Sequence, residues 1–97
     1  MKIFGRDKLV EYEKRHADAK SALDSWYHET SNENCQWKTP QDIKKRYASV
    51  SFLTNNKVIF NIKGNNYRLA VAVFYQNGIA VIEWIGTHAE YDKKKFT

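Results

Sequence analysis

A chain of 97 residues, 42% of them hydrophobic and 14% aromatic, can bury one core and is too short for two, since domains typically run to ~100–150 residues; residues 1–97 are read as a single domain. No apolar run approaches the ~20 residues of a membrane-spanning helix, and "MKIFGRDK" lacks the apolar stretch of a signal peptide, so a cytoplasmic protein with no membrane partner is expected. The net charge of +5 is unevenly spread: residues 1–42 carry net −1 and residues 43–97 net +6, with no acidic residue between Asp42 and Glu83, which is the electrostatic footprint of a nucleic-acid face or else a solvated basic surface.

In chain order, "MKIF" reads as a short edge strand. Asp7 caps a first helix that runs to about His16, with Leu9 and Val10 as its apolar positions. In a second helix, Ala19, Ala22, Leu23, Trp26 and Tyr27 recur at the spacing that lines one face, which is expected to pack on a sheet. The polar string "HETSNENCQWK" ends it, and Cys35, the sole cysteine, is expected to be a structural thiol. "TPQD" starts a third, short helix with Thr39 as cap, Pro40 at the first helical position and Asp42 where a capping box wants an acid.

From Val58 the period changes to two. "KVIFNIK", "YRLAVAVFY" and "IAVIEWI" are strands separated by "GNN" and "QNG", and Asn77-Gly78 is a type I′ hairpin signal, so an antiparallel meander is expected. On the middle strand Tyr67, Leu69, Val71, Val73 and Tyr75 share one face, and Arg68, Ala70, Ala72 and Phe74 the other. Arg68 therefore sits among small residues, where a concavity would let its guanidinium fork onto a phosphate. Lys63 ends the preceding strand, so the turn brings both cations to one end of the sheet. The segment "GTHAEYD" then places His88, Glu90, Tyr91 and Asp92 directly after the last strand.

The run "NNKVIFNIKGNNYRLAVAVFY" followed by "IEWIGTHAEYDK" resembles the HigB family of bacterial toxins, within the RelE-like superfamily of messenger-RNA-cleaving toxin–antitoxin proteins. The likeness extends over nearly the whole chain, "TPQDIKKRY" included, and its specific part is the pair "FNIKGNNYRL" and "THAEYD". It implies an α+β, RelE-like fold with N-terminal helices packed on one face of a small, mainly antiparallel sheet and RNA on the other. It also implies cleavage of mRNA on the translating ribosome and a helix-turn-helix, HigA-like antitoxin in a hetero-oligomer. Arg68 matches the family's phosphate-binding arginine, Lys63 a basic position of the superfamily, and Tyr91 an aromatic that stacks on or hydrogen-bonds the RNA. His88 stands where better-known superfamily members often carry an arginine. The chain ends six residues after Tyr91, leaving little or no C-terminal helix.

RNA cleavage without a metal needs a 2′-hydroxyl to lose a proton and attack the neighbouring phosphate, a cation for the added charge and an acid for the leaving 5′-oxygen. A histidine serves as base or acid, and an arginine only stabilises. Arg68, His88, Tyr91 and Lys63 are thus the expected catalytic set, with Glu90 orienting His88, acting as a base or facing solvent. Lys57, Lys93, Lys94 and Lys95 are the expected RNA-binding cations. No His, Cys, Asp and Glu stand at metal-ligand spacing, so neither metal nor cofactor is expected. Trp37, Trp84 and Tyr47 are expected in the core rather than as base platforms, and His16 and His28 have no assigned role. The alternatives are a RelE-like toxin that inhibits a protein target such as a topoisomerase, and a non-catalytic RNA or ribosome binder.

Overall fold

The computed structural model describes residues 1–94. Lys95, the last of the expected RNA-binding cations, lies outside the described residues. The elements are β1 (Lys2–Phe4), α1 (Arg6–Arg15), a 3-10 turn (Ala17–Ala19), α2 (Lys20–Ser31), α3 (Pro40–Arg46), β2 (Ser51–Phe52), β3 (Lys57–Ile62), β4 (Tyr67–Phe74), a second 3-10 turn (Tyr75–Asn77), β5 (Ile79–Thr87) and α4 (His88–Lys93). The fold is α+β, with one five-stranded sheet in the order β1-β5-β4-β3-β2. β1 lies parallel to β5 at one edge, and every other pair is antiparallel. Among the described residues no helix is long and apolar enough to cross a membrane.

The core lies between one face of the sheet and the helices. Strand alternation delivers Val58, Phe60 and Ile62 from β3, Leu69, Val71 and Val73 from β4, and Ala80 and Ile82 from β5 to that face. Leu9 and Tyr12 of α1 and Leu23 and Trp26 of α2 meet them at helical spacing. Leu23 and Leu69 are fully buried, and truncating either to alanine should remove about 2–5 kcal/mol. Thr30 is buried too, but its hydroxyl donates 2.8 Å to the carbonyl of Trp26. The loop after α2 is pinned by the Met1 amine, which donates to the carbonyls of Thr30 (3.0 Å) and Cys35 (2.5 Å). Cys35 is half-buried against the core, and that burial pushes its thiol pKa up, as suits a structural thiol.

Several local expectations are corrected. Asp7 lies within the first turn of α1, and the N-cap is Gly5 at φ 91°. A Cβ on Gly5 would stand 2.7 Å from the carbonyl oxygen of Ile82, so the chain turns from β1 into α1 hard against β5. Ala19 belongs to the 3-10 turn and α2 starts after it. The capping box on α3 forms as expected, with Thr39 and Asp42 bonding each other's backbone amides. Asn77 is the end of a 3-10 turn and only Gly78 is left-handed, so β4 and β5 are joined by a longer loop than a two-residue type I′ turn. Consecutive positive φ values fall instead at Asn55-Asn56, before β3, and at Lys63-Gly64. Lys63 is accordingly a loop residue at φ 53°, outside the strand.

Candidate nucleic-acid interface

The face of the sheet turned away from the helices is ordered in rows by strand register. Asn61, Arg68 and Gly86 form the row at one end; Ile59, Ala70 and Trp84 come next; Lys57, Ala72 and Val81 follow. Between the second and third rows β5 carries a bulge: Ala70 pairs with Trp84 and Val71 with Ile82, leaving Glu83 extra. Ala70 and Ala72 are only 0% and 4% exposed, so they do not open the concavity that their size suggested.

Arg68 is held at the sheet end by its own strand and by the turn before it. Its Nη1 donates to the carbonyl of Asn65 at 3.0 Å and to that of Tyr67 at 3.3 Å. Both bonds use one terminal nitrogen, and among the described residues no carboxylate forms an ion pair with the guanidinium. A fixed cation at a sheet end suits an anion arriving from solvent.

His88 opens α4, and its backbone amide donates to the carbonyl of Asn66 at 3.0 Å. Arg68 and His88 are therefore tied to neighbouring residues of one turn. The imidazole Nδ1 lies 2.8 Å from Asp92 Oδ2, one helical turn on. Asp92 is thus the carboxylate that holds His88, and with Nδ1 donating to it, Nε2 is the nitrogen left for another partner. Glu90 does not orient His88. Its carboxylate accepts from the Thr87 amide at 2.8 Å while the Thr87 hydroxyl accepts from the Glu90 amide at 3.1 Å. The bond from the Thr87 amide leads the effects that hold the Glu90 pKa below the usual carboxylate range.

That capping box starts α4, a C-terminal helix of six residues, which is as short as expected. Six residues suffice because the box satisfies the exposed amides at the helix start. α4 carries Tyr91 to a ring-centroid distance of 6.3 Å from Trp84. Trp84 is not in the buried core with Trp26 and Trp37. Its indole overlies Gly86, where an added Cβ would collide with the ring. Alternation along β5 from Ala80 and Ile82 would send Trp84 to the core side; only the bulge at Glu83 turns it to the face of Arg68. Lys94 Nζ stands 5.8 Å from the same indole, and Lys93 lies in the last turn of α4.

Two expected cations are engaged elsewhere. Lys63 Nζ pairs with Asp18 at 3.2 Å, and the Tyr67 hydroxyl donates to both oxygens of the same carboxylate at 2.7 and 2.8 Å. Those bonds, Tyr67 first, lower the Asp18 pKa. The ammonium thus joins the helix side of the sheet, where Tyr67 meets Tyr12 and His16 edge-on and His16 stacks on Tyr12 at 4.1 Å. Burial leads the effects that push the Tyr12 pKa up to about 12. Lys57 pairs with Glu83 at 3.7 Å, two register rows from Arg68. Register and the Asn65–Asn66 turn place Arg68 and α4, with His88 and Tyr91, at one end of the sheet, while the ammonium groups of Lys63 and Lys57 pair with Asp18 and Glu83. No group of three or more His, Cys, Asp or Glu residues suited to a metal ion occurs among the described residues.

A family model described as the HigB toxin, the RelE-like toxic component of a toxin–antitoxin system, matches residues 19–94. No curated protein matches the chain.

Proposed function

This chain belongs to the HigB family of RelE-like toxins, the toxic components of toxin–antitoxin systems, and from that premise we propose that it is a ribosome-dependent mRNA endoribonuclease which inhibits translation. The observation that carries this reading is the pairing at one sheet end of a fixed guanidinium, Arg68, with an imidazole held by a carboxylate, His88 and Asp92. The RNA 2′-hydroxyl loses its proton and attacks the adjacent phosphorus, the bond from phosphorus to the 5′-oxygen breaks, and a proton goes to that oxygen. His88 Nε2 takes the first proton or delivers the second, and Arg68 holds the charge that accumulates on the phosphoryl oxygens. Each contact of this kind is worth on the order of 2–4 kcal/mol of barrier, by analogy with oxyanion-hole donors.

Tyr91 and Trp84 border the same end and supply aromatic surface for placing a nucleotide. Lys93, Lys94 and Lys95 add attraction to the phosphate backbone without sequence preference, and Lys57 contributes to the field of the same face. Lys63 joins the reaction in this reading only by leaving Asp18. The antitoxin that family membership implies is read as a helix-turn-helix, HigA-like protein, and the site of action as the cytoplasm.

Mass analysis of the cut ends on ribosome-bound mRNA tests the chemistry. The expected fragments carry a 2′,3′-cyclic phosphate or 3′-phosphate on one side and a 5′-hydroxyl on the other, and a 2′-methoxy nucleotide just upstream of the cut stops the reaction. Ends with 5′-phosphates, or full cutting of the 2′-modified message, would show that water is the nucleophile and that Arg68 and His88 are misassigned.

A further inference from the structure

The row of Arg68 is one end of the open face; the other end is apolar. Lys2, Ile79 and Phe74 are register partners, and Phe4, Val81 and Ala72 form the adjacent row. Ile3, Val73, Ala80 and Ile82 from the same strands pack into the helix-side core, so Phe4, Phe74, Ile79 and Val81 project from the opposite face. Phe4 and Phe74 are 45% and 41% exposed, among the most exposed large hydrophobic side chains of the described residues, and Ile79 and Val81 are half-buried between them. Four neighbouring apolar side chains on an uncovered sheet face form a contiguous patch rather than scattered surface residues.

The surroundings of the patch are basic. Lys2 Nζ stands 5.5 Å from the Phe4 ring. Beside Phe74 a cleft of about 460 Å³ is lined by Lys38, Pro40, Asn56 and Gln76 among others. The only acid in the neighbouring rows is Glu83, and it is paired with Lys57. The family description makes this chain one component of a two-component system.

We propose that the Phe4–Phe74 patch is the docking surface for the antitoxin, and that its occupant is an amphipathic antitoxin segment presenting apolar side chains to Phe4, Val81, Ile79 and Phe74 and carboxylates to Lys2 and Lys38. Apolar residues supply the affinity and the lysines set orientation and partner choice. Phe74 lies six positions along β4 from Arg68, about 20 Å of extended strand. Binding and toxicity are therefore separable by mutation. The inference rests on family membership and not on the cleavage chemistry.

The test uses the full chain and, as probe, the purified product of the reading frame adjacent to its gene. Phe4→Ser/Phe74→Ser should weaken that complex at least 100-fold while leaving growth arrest intact and no longer reversible by the probe; Arg68→Ala should bind as wild type. Acetylation footprinting of the wild-type complex needs no variant: Lys2 and Lys38 should be protected on binding and Lys44 unchanged. Unaltered affinity in the double variant, no protection at Lys2 and Lys38, or no binding of the probe to the wild type would each overturn the proposal. So would sedimentation showing that the chain alone dimerises through this patch, which would make a second copy the occupant.

Discussion

The guanidinium of Arg68 and the backbone amide of His88 are anchored on consecutive carbonyls, those of Asn65 and Asn66. One turn between β3 and β4 thus sets the separation of a strand side chain and a helix start that lie twenty positions apart in sequence. The two groups can be held in fixed relation because neither anchor depends on a flexible side chain of the turn.

Arg68→Ala should abolish growth arrest on expression. Its bonds to two carbonyls are each worth about 0.5–1.5 kcal/mol net, so thermal unfolding should fall by about 4–24 °C, at roughly 4–8 °C per kcal/mol for a domain of this size, and the variant should still fold. Arg68→Lys should also fail, since a point cation does not reproduce the fork. Lys63→Ala should slow single-turnover cleavage far less than Arg68→Ala; an equal loss would return Lys63 to the reacting end.

Asp92→Asn and Glu90→Gln separate the two acids. Asp92→Asn removes the carboxylate on His88 Nδ1 and should lower the cleavage rate and alter its pH profile, with little change in stability. Combined with His88→Gln it should add almost nothing, because the two act as one unit. Glu90→Gln weakens the capping box and should act mainly on stability, by up to about 1 kcal/mol. A rate loss larger for Glu90→Gln than for Asp92→Asn would mean the wrong acid has been matched to the histidine.

Gly86→Ala inserts a methyl group where the Trp84 indole lies. The ring must move, at about 1–3 kcal/mol by the usual scale of overpacking. The urea midpoint should drop with an unchanged slope, and the Trp84 indole resonance should shift while those of buried Trp26 and Trp37 stay in place. An unmoved Trp84 signal would contradict the close approach.

The Tyr67 hydroxyl on Asp18 gives a pH signature. The Asp18 carboxyl is lowered from its ordinary 3.8, so its contribution to stability is present above that value and disappears as pH falls through the lowered folded value. Tyr67 is raised from 10.0, so the same bond is fully present below pH 10 and fades as pH climbs through the raised folded value. Wild type and Tyr67→Phe should therefore differ in stability across this broad plateau and converge in strong acid. Chemical denaturation at a series of pH values measures it; a difference that stays constant as the pH is taken down into strong acid would rule out the ion-dipole origin.

By itself the sequence determined the first three helices, the three long strands and the faces of β4, because periods of 3.6 and 2 are local properties of the chain, and the capping box at Thr39 reads directly from residue order. The likeness to a toxin family was also legible, since "NNYRL" and "THAEYD" are contiguous, and the same two blocks hold the proposed site residues Arg68, His88 and Tyr91. Tertiary structure alone decided which groups meet. Lys63 and Arg68 flank one turn, yet Lys63 at positive φ sends its ammonium to Asp18 on the helix side while alternation sends Arg68 to the open face. Glu90 is nearer to His88 in sequence than Asp92, two positions against four, yet helix geometry joins Asp92 to the histidine while the cap at Thr87 claims Glu90. The bulge at Glu83 and the contact of β1 with β5 depend on pairings between segments remote in sequence, which no local pattern encodes. Those pairings put Phe4 beside Val81 and make one end of the open face apolar and the other cationic.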